Sequence, residues 1–213
     1  MSGFSTNEGN TLVMELVKVI QANKEYLGEI DGAIGDGDHG VNMNKGFTFY
    51  QERHGGEPAD VSTAFKNLSQ ILMGEIGGSM GPIYGKFFRG MFRAAKGHEV
   101  IDADVFLTML KDARDGVQEI GQATRGDKTL MDTLIPAVEG YEKALAAGKD
   151  FAGCLEDMKA EAKKGWEGTK DMQAKIGRAS RLGERSIGVL DAGATSCWLI
   201  LQTLADGIEK LLK

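Results

Sequence analysis

The stretch Asp102-Ala103-Asp104-Val105-Phe106-Leu107-Thr108-Met109-Leu110-Lys111-Asp112-Ala113-Arg114-Asp115-Gly116-Val117-Gln118-Glu119-Ile120 sets apolar side chains at 106, 109, 110, 113, 117 and 120. That spacing follows the 3.6-residue period of a helix, not the alternation of a half-buried strand. Asp102 or Asp104 stands where an N-cap is needed. The same period recurs on both sides. Leu12, Leu16, Val19, Ile20 and Leu27 predict a first helix, and Phe65, Leu68, Leu72 and Ile76 another, with Asp60 or Ser62 as its cap. Leu130, Leu134, Val138, Tyr141 and Leu145 predict a helix ending near Gly148. Asp150 caps the next, which carries Leu155, Met158, Ala162 and Trp166, and the last runs from about Ala194 through Trp198, Leu201, Leu204 and Ile208. Strand alternation is nearly absent and proline occupies three positions. The expectation is an all-α chain of about six to eight helices. No fixed-period repeat or low-complexity linker divides it, so residues 1–213 read as a single domain.

Composition narrows the function classes. The chain has 42% hydrophobic and 26% charged residues, ordinary globular usage that permits a sizeable core. A formal charge of −6 argues against general nucleic-acid binding, which needs concentrated Lys and Arg. An acidic protein still binds a nucleotide when a divalent metal carries the positive charge. Cys154 and Cys197 both fall in helical segments and read as buried reduced thiols. Met1 to Asn10 is polar, no apolar leader is evident, and no run approaches the roughly 18 apolar residues of a membrane span. The expectation is a soluble, cytoplasmic protein.

Thirty glycines are more than average usage, and many cluster in three places. These are Ile34 to Gly40, Gly77 to Pro82, and Gly188 to Ser196. Glycine lets backbone approach a ligand closely, and each cluster precedes a segment expected to be helical, whose free N–H groups attract anions. Taken singly, any of the three also reads as a plain helix-joining turn.

The first cluster carries Asp31, Asp36 and Asp38 in what reads as a loop with glycine at 32, 35, 37 and 40. No Lys or Arg lies between Lys24 and Lys45. Two unit charges ~4 Å apart repel by roughly 4 kcal/mol at an effective dielectric near 20, so a folded trio needs a cation or raised pKa values. Carboxylate oxygens favour Mg²⁺ or Ca²⁺ over soft-ligand metals. An EF-hand does not fit: the twelfth residue is Asn42 counted from Asp31 and Phe47 counted from Asp36. An aspartyl-phosphate nucleophile lacks its apolar strand, because Glu29 to Gly35 does not make one. The bland alternative is three capping aspartates. Mg²⁺ usually bridges one or two carboxylates to substrate phosphates, which suggests ADP or ATP. The usual P-loop, G-x-x-x-x-G-K followed by Ser or Thr, does not occur; Gly81 to Lys86 has the wrong spacing.

Four blocks in order span nearly the whole chain: Asp31 to Met43, Gly77 to Pro82, Gly126 to Asp132, and Gly177 to Ser196. Together they resemble the L subunit of bacterial dihydroxyacetone kinases, a family shared with the C-terminal domain of single-chain ATP-dependent kinases. The resemblance implies a barrel of eight antiparallel helices with nucleotide at one rim. It implies that Asp31, Asp36 and Asp38 ligate two Mg²⁺ ions against the diphosphate. It sets His39, Gly40, Val41 and Asn42 along the phosphates and Ser79, Met80, Gly121 and Leu130 around the nucleotide. Arg178 and the turn Asp191, Ala192, Gly193 would close the pocket. Where Met80 stands the family more often has serine, so Met80 packs on the base or leaves the phosphate contact to Ser79. His39 reads as a loop imidazole near phosphate or metal instead of a nucleophile; His54 and His98 lie in polar segments. Lys128 reads as a solvated cation at a helix end.

The resemblance further implies a kinase subunit active only with a partner. In the family a separate K subunit holds the ketose on a histidine and supplies the base. ADP then serves either as a held coenzyme, rephosphorylated by a phosphohistidine-carrying phosphotransferase subunit, or exchanges with free ATP. Related chains serve kinases for other short ketoses such as erythrulose, and an ADP-loaded L subunit can contact a transcription regulator. A regulatory module, or a helical metal-binding scaffold without nucleotide, are the readings outside catalysis.

Overall fold

The computed structural model describes residues 3–212. Among the described residues nine α-helices follow in chain order: α1 (Gly9–Ala22), α2 (Lys24–Ile34), α3 (His39–His54), α4 (Val61–Glu75), α5 (Met80–Ala95), α6 (Ala103–Gly121), α7 (Met131–Ala146), α8 (Phe151–Gly168) and α9 (Ala192–Leu211). Short 3-10 segments cover Thr6–Glu8, Thr169–Asp171 and Arg178–Ser186. The described residues contain one small sheet, in which β1 (Phe4–Ser5) pairs antiparallel with β2 (Val100–Ile101).

The caps match the sequence chemistry. Asp60 accepts from the Thr63 amide, Asp102 from Val105, Asp150 from Gly153 and Asp191 from Ala194, each relieving an orphan N–H of a first turn. One expectation changes. The pattern from Leu12 to Leu27 belongs to two helices, broken at Asn23. There the side-chain Nδ2 donates to the Val19 carbonyl at 2.8 Å, sharing that acceptor with the Asn23 backbone amide at 3.1 Å, a local side-chain bond that competes with the helix ladder. Ile120, counted on the core face of its helix, is 43% exposed because α6 ends one residue later at the rim of a cavity.

Consecutive packing of α3 to α9, closed by α1 against both α9 and α3, makes a ring of eight helices; α2 lies beside α3 and α9 as a ninth. The ring is filled with large side chains. Phe47, Phe65, Phe87 and Phe88 form one aromatic group, and Phe4, Phe106, Tyr141 and Phe151 another. Each buried ring contributes roughly 1.5–3 kcal/mol from leaving water. Both cysteines are buried and free. Among the described residues no helix is long and apolar enough to cross a membrane.

Candidate nucleotide and metal site

The three glycine clusters end where helices begin: α3 at His39, α5 at Met80 and α9 at Ala192. These three starts face one cavity of about 580 Å³, within the range of small-molecule sites. The amides of Gly40 and Val41, of Met80 and Gly81, and of Ala192 and Gly193 make no hydrogen bond among the described residues. Three helix N-termini therefore open on one space, and of the free amides those of Met80, Ala192 and Gly193 belong to lining residues, an arrangement suited to an anion.

The acidic trio sits at the mouth, but not all in a loop. Asp31 lies on the last turn of α2, Asp36 in the connection that follows, and Asp38 at the N-cap position of α3. One carboxylate oxygen from each lies within 4.8 Å of the others. Asp31 Oδ2 accepts from the His39 amide at 3.3 Å, while Asp38 makes no side-chain cap bond. The Arg178 guanidinium pairs with Asp36. Three hard oxygen donors this close, two of them without a paired cation, fit a divalent ion such as Mg²⁺.

Of the residues expected at the site, Asp31, Asp36, Asp38, His39, Ser79, Met80, Gly121, Leu130, Arg178, Asp191, Ala192 and Gly193 line the cavity. Gly40, Val41 and Asn42 occupy the first turn of α3 outside its lining. Gly40 is where α3 crosses α2: a Cβ there would overlap the Lys24 carbonyl oxygen. Val41 is 56% exposed, and the Asn42 amide already donates to Asp38 O at 2.9 Å.

His39 is not a loop imidazole. It opens α3, is buried, and shares a 2.8 Å hydrogen bond between its Nε2 and Ser196 Oγ. Burial pushes its pKa down to about 4, so the ring is neutral at neutral pH. Ser196 Oγ also meets the Tyr84 hydroxyl at 2.6 Å, and Tyr84 donates to Gly193 O at 3.1 Å. This buried network ties the starts of α3 and α9 to α5. Asp191 beside it is raised to about 7 by burial, an effect the Ala194 amide partly offsets.

The remaining wall includes the apolar side chains of Ile34, Ile83, Ile120 and Ile176, with Met80 and Leu130, beside Thr129 and Lys128. The cavity therefore offers hydrophobic surface as well as carboxylates. Residues 169–191, the connector between α8 and α9, pass over the cavity and contribute Ile176, Gly177, Arg178 and Ala179.

The DAK2 domain model matches residues 33–206. The chain belongs to the DAK2-domain family. It is 37% identical over 191 residues to the ADP-binding subunit DhaL of the PEP-dependent dihydroxyacetone kinase of Escherichia coli (strain K12), covering 88% of this chain and 90% of that one. It is 36% identical over 188 residues to the ADP-binding subunit DhaL of the PTS-dependent dihydroxyacetone kinase of Lactococcus lactis, with 88% and 90% covered. The crystal structure of the dihydroxyacetone kinase from C. freundii in complex with AMP-PNP and Mg²⁺ superposes with a TM-score of 0.66 at 22% identity, across 97% of this chain and 35% of that one. At that identity the superposition establishes the fold. The all-α barrel expected from the resemblance is thus the fold observed, and the two relatives named above are subunits of kinases.

Three residues in or behind the wall of this DAK2 domain's cavity escaped sequence reasoning. Tyr84 sits at an ordinary helical position that marks no buried network, and Ser196 is signalled only as the end of the Gly177 to Ser196 block. Lys128, expected as a solvated cation, is buried in the cavity wall with its ammonium on three backbone carbonyls. Its only sequence signal is its place inside the Gly126 to Asp132 block.

Proposed function

We propose that this chain is the nucleotide-holding subunit of a short-ketose kinase, binding ADP or ATP with Mg²⁺ and presenting the phosphoryl group to a ketose held on a separate K subunit. The observation that carries the reading is the meeting, at one cavity, of three carboxylates with three helix starts whose amides are free. Asp31, Asp36 and Asp38 would hold two metal ions. Bound there, the ions supply charge neutralisation to the phosphate oxygens. The protein's own groups do the remainder. Amides of α3, α5 and α9 orient the phosphates, and Arg178 adds a cation from the connector. Ile83, Met80, Ile120 and Leu130 pack the adenosine and exclude water.

Phosphoryl transfer needs positioning more than covalent chemistry from the protein, and this cavity offers positioning. Its histidine is neutral, buried and tied to Ser196, so the base that accepts the ketose proton is assigned to the K subunit. Relatives named as PEP- and PTS-dependent favour ADP as a resident coenzyme, rephosphorylated in place by a phosphohistidine-carrying phosphotransferase subunit.

A thermal-melt series with ADP, Mg²⁺ and EDTA tests the reading. A ligand that binds only the native state at ~100-fold above its Kd stabilises by roughly 2.7 kcal/mol. The expected shift needs both ADP and Mg²⁺, and Asp36→Ala removes most of it. A metal-independent shift favours a regulatory nucleotide module, and no shift with either ligand sinks the kinase reading. For the donor, ADP retained through gel filtration fits the coenzyme role. Ready exchange with ATP points to an ATP-dependent kinase for this or another ketose, such as erythrulose.

A further inference from the structure

Among the described residues Lys128 is the one buried lysine, 2% exposed. It lies in the loop joining α6 to α7, with its backbone in the left-handed region at φ +61°, which disfavours side chains bearing a Cβ. Asp132 holds the loop in that shape, its two oxygens accepting from the amides of Gly126 and Thr129. A costly backbone conformation, kept by a buried carboxylate, aims one side chain inward.

That side chain ends on three carbonyl oxygens: Met172 at 3.1 Å, Ser186 at 2.5 Å and Val189 at 2.6 Å. An ammonium has three donors, so the set is matched only by the charged form. Burial lowers the Lys128 pKa, with Asp191 and Asp171 acting in the opposite sense. No carboxylate pairs with it directly among the described residues.

The three carbonyls belong to widely spaced points of the 169–191 connector and bracket the part that covers the cavity. Internal bonds fold this connector on itself, from Gly188 N to Lys170 O at 2.7 Å and from Ala174 N to Ser186 Oγ at 2.9 Å. Its ties outward are few. Among the described residues, hydrogen bonds and ion pairs from 172–189 to the rest of the protein reach only Asp127, Lys128 and Asp36. Asp127 takes one backbone bond, its carbonyl accepting from the Lys175 amide at 3.1 Å; the side-chain pairs of Lys175 with Asp127 and of Arg178 with Asp36 have cations 61% and 59% exposed and so anchor weakly. Beside that single backbone bond, the buried ammonium supplies the other three hydrogen bonds that hold the connector to the rest of the protein.

We propose that Lys128 is a positioning residue whose ammonium clasps the 169–191 connector over the cavity and so sets how slowly a bound nucleotide leaves. The identity of that ligand rests on the reading under Proposed function; the clasp itself rests only on the contacts above.

The test uses the full chain as wild type, Lys128→Met, Lys128→Gly and Lys128→Arg. Met keeps the apolar stem without the charge, and Gly additionally relieves the positive φ, so an effect of strain alone would disappear in Gly. Two readouts are taken: amide hydrogen exchange of the ligand-free proteins, and release of a fluorescent ADP analogue in Mg²⁺ after an ADP chase. Met and Gly should both raise exchange in 172–189 while α4 to α6 stay protected, because local opening is separable from global unfolding. Both should speed ADP release by about tenfold or more with little change in association, since lost anchoring acts on the off-rate. Arg, which keeps the charge, should recover part of the slow release. Unchanged connector exchange overturns the clasp, as does a rise spread evenly over all helices, which would make Lys128 a general packing residue. Unchanged release with a loosened connector overturns the link to residence time. Wild type that binds no ADP in Mg²⁺ instead overturns the nucleotide reading and this link with it, while exchange still decides the clasp.

Discussion

Replacing Asp38 by Asn should make the ligand-free protein more stable and its ligand-bound form much weaker. Asp38 makes no side-chain hydrogen bond at the start of α3, so Asn removes a charge without breaking a contact. Its carboxylate lies with those of Asp31 and Asp36 inside a 4.8 Å group. At that separation a like-charge pair costs about 3.5 kcal/mol at an effective dielectric near 20, and about 0.9 kcal/mol in water. Asp36 is exposed and the other two are half-buried, so each repulsion falls toward the lower figure. Arg178 beside Asp36 offsets part of what remains. Against the relief stands the lost attraction of a carboxylate to the positive end of α3, roughly 0.3–1 kcal/mol. The net expectation is a gain of about 1 kcal/mol, a Tm rise of about 2–4 °C for a chain of this length. With ADP and Mg²⁺ in ~100-fold excess over Kd, wild type should gain roughly 2.7 kcal/mol and the variant little of it. Differential scanning fluorimetry in EDTA, and then in Mg²⁺ with ADP, reads both signs in one plate. A lower Tm in EDTA would refute the repulsion argument. An undiminished ligand shift would remove Asp38 from the metal set.

Other outcomes follow from the same geometry. Arg178→Met should weaken ADP binding by about three- to tenfold in calorimetry while moving the ligand-free Tm little, because its exposed pair with Asp36 contributes at most ~1 kcal/mol; unchanged affinity would place Arg178 away from the nucleotide. In EDTA, His39 should destabilise the protein as pH falls from about 6.5 toward 4: its folded pKa is depressed, so the unfolded chain takes the proton first. The loss between pH 7 and 5 is about 2 kcal/mol at most. Asp191, raised to about 7, has the opposite sign, losing stability as pH rises from about 4 to 7. Subtracting the His39→Gln profile from wild type cancels the Asp191 contribution, and identical profiles would count against the burial argument. Gly90→Ala should cost roughly 1–3 kcal/mol by urea unfolding, since a Cβ there would overlap the Asp112 backbone where α5 crosses α6.

Much of the barrel was legible before any coordinates. Asp60, Asp102 and Asp150 announce helix starts because capping is a local interaction, decided within four residues. Where several caps were open, geometry chose: Asp60 over Ser62 and Asp102 over Asp104. The break at Asn23 was not legible, because the apolar period runs through it. The glycine clusters marked three helix starts, yet Gly40, expected along the phosphates, serves the crossing of α3 over α2.

The chain's pattern alone settled that it is helical and where its acidic and glycine-rich turns fall, since periodicity, capping and charge spacing are properties of neighbours. Only tertiary packing decided that Asp31, Asp36 and Asp38 meet within 4.8 Å, that three helix starts open on one cavity, and that Lys128 is buried instead of solvated. Its partners, Met172, Ser186 and Val189, lie 44 to 61 residues away. No local rule sees such distances: a lysine reads the same in sequence whether its ammonium faces water or three carbonyls.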